Sequence, residues 1–137
     1  MPIFIFGAWA IMAWLKGQQP EAERVRLLLE SGEKRERRLV MNIVNLGEVF
    51  YLSVKANDAA YGNRVLRNLQ ARITIVSADD ELVMSAAALK ARHAISYADA
   101  FAAATAMRYE APLVTGDPEL RAMAKREGKL KLEWVAA

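Results

Sequence analysis

The segment Ile95–Leu120, ISYADAFAAATAMRYEAPLVTGDPEL, decides the fold of this chain. Ser96 is a suitable N-cap for a helix that begins at Tyr97, and the alanine-rich run after it suits a helix packed closely against other backbone. Pro112–Thr115 predicts a short buried strand, and the Asp117-Pro118 pair after Gly116 predicts the start of another helix. The segment therefore predicts one helix–strand–helix unit of an α/β fold.

Two acids of this segment are expected to lie at the same edge of the sheet. A helix of about 13 residues runs ~20 Å in one direction, and a strand of four or five residues returns by roughly 15 Å. Asp99 is in the first turn of that helix, and Asp117 follows the strand. This edge is where open α/β sheets keep their binding and catalytic sites.

Length and composition indicate one globular domain. The chain has 137 residues, of which 54% are hydrophobic and 26% charged, so it is long and apolar enough to form a core as a single domain, residues 1–137. The net charge of +3 permits a polyanionic partner without requiring one. Because cysteine is absent, disulfides and thiolate metal sites are excluded. The lone histidine, His93, is expected near a helix end in a structural role.

The N-terminal stretch MPIFIFGAWAIMAWL is apolar but does not resemble a membrane segment. It has no basic n-region and is shorter than the ~20 residues of a membrane-spanning helix. A buried strand at Ile3–Phe6 followed by a helix at Ala8–Leu15 explains it better. We therefore expect a soluble, cytoplasmic protein that does not enter a membrane.

The rest of the chain alternates helices with strands, which predicts a mainly parallel sheet of about five strands with helices on both faces. Two consecutive helices between the second and third strands are expected to form a hairpin that projects as an interaction surface. The further helices are predicted after Pro20, from an N-cap at Asn45 to Val54, through Tyr61–Leu69 and over Leu82–His93; the further strands lie within Arg38–Ile43, at Ile73–Val76 and at Leu130–Val135.

Three acids recur in similar places: Glu48 in the first turns of the helix after the second strand, Asp99 at the start of the alanine-rich helix, and Asp117 directly after a strand. Carboxylates that converge at one sheet edge suit a hard divalent cation such as Mg²⁺ or Mn²⁺, which prefers oxygen ligands and keeps several waters. Such a cation polarises a phosphodiester and lowers the pKa of a bound water.

Helix capping is an alternative explanation for each of these acids. Asn45 to Glu48 and Ser96 to Asp99 both have the spacing of a capping box, and Asp117 before a proline is a good N-cap. An acid in a first helical turn also gains about 0.3–1 kcal/mol from the helix dipole. The sequence alone leaves the two explanations open, although the apolar neighbours of Glu48 favour a partner for its carboxylate.

The motifs FIFGAWAIMAWLKG, NLGEVFY, SYADAFAAATA, APLVTGDPEL and LEWV, in this order and spacing, resemble the PIN-domain ribonucleases. Within them the chain resembles the VapC-type toxins of toxin–antitoxin pairs, and the resemblance covers almost the whole chain. It implies a PIN-like fold, a homodimer, a Mg²⁺- or Mn²⁺-dependent endoribonuclease site, an RNA substrate and a cognate antitoxin as partner.

By motif match, the resemblance assigns the catalytic and metal-binding acids to Glu48, Asp99 and Asp117. Asp99 and Asp117 would bind the metal, and Glu48 would bind metal or orient water. Thr115, two residues before the last acid, matches a hydroxyl position that helps to organise water or phosphate. An ordinary β-branched residue at a strand end explains Thr115 equally well.

The chain departs from the family at Gly7. Family members usually have an aspartate metal ligand at the end of the first strand, in the slot that Gly7 fills between FIF and AWAI. The resemblance thus implies an inactive or attenuated enzyme, and we hypothesise an aspartate-to-glycine substitution at this position. A glycine that merely eases a tight turn between strand and helix is the alternative.

Two other functions are compatible with parts of the sequence. A metal-free PIN-like module that binds protein or RNA would use the three acids only as helix caps. A response-regulator-like domain shares the alternating order of strands and helices but requires an acidic pair after the first strand, where this chain has Gly7-Ala8.

Overall fold

The computed structural model describes residues 1–137 as five strands and seven helices. The strands are β1 (Ile3–Phe6), β2 (Arg38–Asn42), β3 (Thr74–Val76), β4 (Leu113–Thr115) and β5 (Leu132–Trp134). The helices are α1 (Ala8–Lys16), α2 (Glu21–Glu33), α3 (Ile43–Ala56), α4 (Ala59–Arg72), α5 (Asp80–Arg92), α6 (Tyr97–Tyr109) and α7 (Pro118–Arg126).

All five strands belong to one parallel sheet in the order β3-β2-β1-β4-β5. The strand order reverses between β1 and β4, since the chain adds strands on one side of β1 and then on the other. In open α/β sheets the crevice beyond the carboxyl ends of the strands at such a point holds the ligand. The fold therefore directs attention to the residues that follow β1, β2 and β4.

Each face of the sheet carries its own hydrophobic core. One core combines strand residues with α1, α2, α3 and α4, and the other combines them with α5, α6 and α7. Five of the six alanines of α6 are buried, so that this helix lies close to the sheet as the sequence predicted. The predicted α/β fold with helices on both faces is confirmed.

Two predictions about the second crossover are wrong. The N-cap of α3 is Asn42 rather than Asn45, because the Asn42 side chain at the end of β2 accepts a hydrogen bond from the backbone N–H of Asn45. The α3–α4 hairpin also packs onto the body instead of projecting from it, because Val49 and Leu69 are completely buried in the core. Its use as an interaction surface stays a prediction.

The ends of the chain match their predicted elements. The apolar N-terminus forms β1 and α1, and Phe6 and Ile11 from these elements are fully buried. The last strand is shorter than predicted, covering only Leu132–Trp134. None of the seven helices has the length and apolar content that crossing a membrane requires.

Candidate active site

A cleft of about 240 Å³ lies beyond the carboxyl ends of β1, β2 and β4, between α1 on one side and α3, α6 and α7 on the other. It contains the three predicted acids, so the sequence placed them together correctly. Its lining residues are Ala8, Trp9, Met12, Ala13, Lys16, Gln18, Glu48, Leu52, Ser96, Asp99 and Asp117.

A buried network of amide side chains positions Glu48. The Asn42 amide group donates to Asn45 Oδ1 at 2.8 Å and to Thr105 Oγ1 at 2.9 Å. The Asn45 amide group in turn donates to the backbone carbonyl of Ala98 at 2.9 Å. Because these side chains are fully buried and satisfied, they fix α3 against the first turn of α6. Glu48 lies one turn after Asn45 and therefore faces the start of α6.

This network removes the capping explanation for Glu48. Asn45 is not an N-cap, and Glu48 is the sixth residue of α3 rather than the third. An N-terminal capping box requires its acid at the third helical position. The half-buried carboxylate of Glu48 is thus left without a local structural role.

The other two acids both stand at helix starts, but only Asp117 is itself a cap, because the N-cap of α6 is Ser96. Asp99 is the third residue of α6, and its backbone N–H donates to Ser96 Oγ at 3.1 Å. Asp117 is the N-cap of α7, where its Oδ1 accepts from the backbone N–H of Glu119 at 2.9 Å. The capping predictions for α6 and α7 are confirmed, and both carboxylates nevertheless reach the cleft. Capping and a role in the cleft are compatible here.

Thr115 lies beneath Asp117 rather than in the cleft lining. Its side chain is buried, and its hydroxyl accepts a hydrogen bond from the backbone N–H of Asp117 at 3.1 Å. This bond holds the chain where β4 ends and thereby orients the Asp117 carboxylate. The predicted contact of Thr115 with water or phosphate stays a prediction.

The carboxylates of the cleft repel one another. Burial and then the charge of Asp99 raise the pKa of Glu48. Burial raises the pKa of Asp99 as well, and the charges of Asp117 and Glu119 add to the effect, whereas a hydrogen bond with Ser96 opposes it. No cationic side chain contributes to either pKa shift. Neither Glu48 nor Asp99 therefore has a cationic partner that offsets its burial.

Gly7 connects β1 to α1 and is the N-cap of α1, which has no side-chain cap. Its φ of −95° and ψ of −178° are extended backbone that any residue adopts, so the explanation by a tight turn is wrong. A Cβ atom here would meet the Cβ of Ala102 at 3.2 Å, a close contact that requires a small adjustment. A side chain at position 7 would therefore lie next to the cleft, and it requires Ala102 to give way by a few tenths of an ångström.

The α1 wall of the cleft was not recognised from the sequence. Trp9, Met12, Ala13 and Lys16 lie along one face of the helix at the spacing i, i+3, i+4 and i+7. In the sequence this face looks like the core side of an amphipathic helix. Glu119 was also missed, because its influence on Asp99 depends on how α7 approaches α6.

The residues of the cleft fit a hard divalent cation only in part. No three acids or histidines anywhere in the chain come close enough to enclose a metal ion. However, Mg²⁺ is usually held by one or two carboxylates together with waters and substrate phosphates. Oxygen ligands without a protein counter-charge supply what such an ion requires, and Asp99 and Asp117 are the residues that would hold it.

A family model described as PIN domain matches residues 8–126. This match spans all seven helices and β2, β3 and β4. The family match thus indicates a PIN domain and not a response-regulator-like domain. No curated protein matches the sequence.

Solved structures of similar fold cover nearly the whole chain. DNA-bound VapBC from Salmonella typhimurium has a TM-score of 0.72 at 19% identity, over 99% of this chain and 100% of that chain. VapBC2 from Rickettsia felis, bound to a promoter DNA fragment, has a TM-score of 0.71 at 19% identity, over 98% and 99%. VapC20 from Mycobacterium tuberculosis, a toxin that cleaves the sarcin-ricin loop, has a TM-score of 0.69 at 16% identity, over 88% and 93%. At these identities the likeness shows a shared fold.

Proposed function

This chain belongs to the PIN domain family, and we propose that within it the protein is a metal-dependent endoribonuclease toxin of the VapC type, attenuated by glycine at position 7. It would act on RNA in the cytoplasm, use Mg²⁺ or Mn²⁺, form a homodimer and be held in check by a cognate antitoxin. Support for the antitoxin comes from the fold shared with the toxin–antitoxin structures of Salmonella typhimurium and Rickettsia felis.

The convergence of Glu48, Asp99 and Asp117 in one cleft carries this proposal. The three acids come from α3, from α6 and from the junction between β4 and α7, which are separate in sequence, and they meet where the strand order of the sheet reverses. Helix capping explains Asp117, whereas Asp99 lies in the first turn of a helix that Ser96 caps and Glu48 lies beyond the first turn of α3. A site that accepts a cation and a phosphodiester explains all three.

Each acid has a role that follows from its surroundings. Asp99 and Asp117 would hold the metal ion, since their charges act on one another. Glu48 would bind the ion or orient the attacking water, because Asn45 fixes α3 and with it this carboxylate. Thr115 would keep Asp117 in place through its hydroxyl. A bound Mg²⁺ or Mn²⁺ supplies charge stabilisation to the phosphoryl oxygens and a more acidic water.

The glycine at position 7 leaves this arrangement incomplete. A carboxylate there would stand at the start of α1, at the end of β1. Asp117 follows β4, the strand that pairs with β1. The absence of a carboxylate at position 7 lowers the negative charge that attracts a cation and removes one oxygen ligand. We therefore expect weak metal binding and weak cleavage by the chain as it stands.

Cleavage of a labelled RNA pool tests the proposal directly. This protein, Gly7→Asp and Gly7→Asn are compared in Mn²⁺, with EDTA as the control. Asparagine has the size and capping ability of aspartate without its charge, so it separates charge from shape. We expect Gly7→Asp to cut at least about a hundredfold faster than the other two, the scale of losing one charged group at a reacting centre, and EDTA to stop it.

A metal-free PIN-like module that binds RNA or protein is the second candidate. The glycine at position 7 and the absence of a three-ligand metal cluster favour it. RNA binding without cleavage by any of the three proteins would support this module. Equal EDTA-sensitive cleavage by all three would instead show that position 7 is dispensable.

A further inference from the structure

The α1 wall of the cleft has a different chemistry from the acidic wall that it faces. Trp9, Met12 and Ala13 make it largely apolar, and Lys16 ends it with a positive charge. Lys16 is the only cation among the eleven lining residues, and its side chain is exposed. One helix face therefore offers an aromatic ring at one end and an ammonium group at the other.

The Trp9 ring packs against the β4–α7 junction. A Cβ atom on Gly116 would lie 2.5 Å from Cη2 and 2.7 Å from Cζ3 of the Trp9 ring, so the ring rests directly on the glycine backbone. The backbone of Gly116 is not in the left-handed region, and hence the close approach of the Trp9 ring and of the Ala136 Cβ, at 2.8 Å from an added Cβ, is what requires a glycine there. The indole is half-buried, which leaves part of it accessible in the cleft beside Asp117.

Lys16 is two helical turns from Trp9, a distance of about 10 Å along α1. It lies in the last turn, where the helix dipole favours a cation. No acidic side chain forms an ion pair with it, in contrast to the basic residues of α2 and α5 that are paired with acids. Its charge is therefore available to a ligand that enters the cleft.

We propose that the α1 wall is a binding subsite for single-stranded RNA, in which a base stacks on Trp9 and a flanking phosphate contacts Lys16. The proposal rests on the RNA substrate of the proposed function and adds the residues that would hold it. A rigid aromatic ring binds any base by stacking, and a lysine binds phosphate as a point charge. The scissile phosphate would then face the carboxylates on the opposite wall.

Binding of labelled single-stranded RNA of about ten nucleotides tests the subsite by fluorescence anisotropy. The full chain is used in EDTA, so that binding is measured without cleavage. We expect Trp9→Leu to weaken binding about tenfold and Trp9→Phe to retain most of the affinity, because phenylalanine still stacks.

Trp14→Leu is the matched control for the aromatic residue. Trp14 is on the same helix and is also half-buried, but it lies outside the cleft beneath the guanidinium of Arg72, 5.8 Å from its ring centroid. We expect this variant to bind RNA as the parent does. Thermal unfolding of each variant shows whether it is folded at the temperature of the assay.

Lys16→Gln tests the phosphate contact through the salt dependence of binding. Loss of one phosphate contact should lower the slope of log K against log salt concentration by about 0.7 for single-stranded RNA. Lys34→Gln is the control, because Lys34 lies at the C-terminal end of α2 in an ion pair with Glu30 and is not among the cleft residues. It should leave the slope unchanged.

The outcomes separate this subsite from the proposed activity. Equal RNA affinity of Trp9→Leu and Trp14→Leu, or no RNA binding by the parent chain, would overturn the subsite whatever the nuclease assay shows. Trp9-dependent binding without cleavage by Gly7→Asp would keep the subsite and overturn the nuclease. Cleavage by Gly7→Asp that is unaffected by Trp9→Leu would keep the nuclease and overturn the subsite.

Discussion

The two junctions on either side of the sheet reversal, β1–α1 and β4–α7, have the same architecture and opposite chemistry. Each runs from a parallel strand directly into a helix at the edge of the cleft. At β4–α7 the N-cap is Asp117, whose carboxylate accepts a hydrogen bond from the helix and faces the cleft. At β1–α1 the N-cap is Gly7, which provides neither a cap nor a charge.

This difference shows that one side chain at a strand-to-helix junction serves stability and chemistry together. The carboxylate of Asp117 satisfies a helical N–H and contributes negative charge to its neighbours in the cleft. Since the backbone at Gly7 is ordinary extended backbone, the fold does not require glycine there. The contrast between the junctions is therefore chemical and can be removed by substitution.

The largest expected effect is the gain of metal binding when Gly7→Asp gives the β1–α1 junction the same N-cap residue as the β4–α7 junction. In Gly7→Asp, free Mn²⁺ at a hundredfold excess over its Kd should stabilise the protein by about 2.7 kcal/mol. Thermal unfolding in Mn²⁺ and in EDTA measures this gain. Gly7→Asn should gain much less, and adding Asp99→Ala to Gly7→Asp should abolish the gain. A parent chain that is stabilised as much as Gly7→Asp would contradict the prediction.

The next effect compares the glycines of the two junctions. Gly116→Ala should destabilise the fold by about 2 kcal/mol, because its Cβ would overlap the Trp9 ring and the Cβ of Ala136. Gly7→Ala should cost less, since only the Cβ of Ala102 comes close. Urea unfolding measures both free energies.

Gly47→Ala is the control for glycine replacement as such. Gly47 is an exposed residue of α3, and a Cβ atom there meets nothing within 4 Å. We expect it to stabilise the protein by about 0.5–1 kcal/mol, the usual gain from alanine in a helix interior. If Gly116→Ala behaved like Gly47→Ala, the close seating of Trp9 would be wrong.

A smaller effect comes from the repulsion within the acidic wall. The pKa of Asp99 is raised, by burial first and by Asp117 second. A raised carboxyl pKa means that the folded state gains stability as the pH falls through this pKa. Asp99→Asn should therefore be more stable than the parent at pH 7 by about 1 kcal/mol. The difference should vanish below the unfolded pKa of about 3.9.

Asp79→Asn should change the stability at pH 7 in the opposite direction, so it serves as the control for Asp99→Asn. Asp79 caps α5, and its hydrogen bond with Arg108 lowers its pKa. Its stabilising effect is present above the unfolded pKa and is lost as the pH falls through the folded pKa. Melting temperatures from pH 7 to pH 3 should thus show Asp79→Asn below the parent and Asp99→Asn above it, with both differences fading in acid.

The smallest effect isolates the charge at position 7 without metal. Gly7→Asp and Gly7→Asn share the cap and the contact with Ala102, so their difference is the charge alone. In EDTA we expect Gly7→Asp to be less stable by roughly 0.5 kcal/mol, the size of a solvent-screened charge interaction. Equal melting temperatures in low salt would show that a charge at position 7 has no measurable electrostatic interaction with the acids of the cleft.

Much of the fold and part of the site follow from local patterns. The β-branched run Ile73–Val76 predicts β3, and the Asp117-Pro118 pair predicts the start of α7, because these signals depend only on neighbouring residues. The meeting of Asp99 and Asp117 follows from the geometry of one helix and one parallel strand. These were the parts of the site that the sequence could predict.

The parts that were missed depend on contacts between distant segments. Asn42 and Asn45 are both acceptable caps, and only the burial of Asn42 with Thr105 decides between them. The seating of Trp9 on Gly116 joins residues more than a hundred positions apart. Neither contact leaves a periodic signal in the sequence, since the local pattern does not identify the distant residue that will form the contact.

The Asn42–Asn45–Thr105 network has a consequence for how this molecule can change over generations. It holds the cleft open through neutral groups alone, and none of its atoms belongs to the acids of the cleft. Under the proposed function, loss of the Glu48 carboxylate would therefore remove chemistry without disturbing this network. A lineage that loses the nuclease in this way still inherits an intact surface, on which selection for recognition can continue to act.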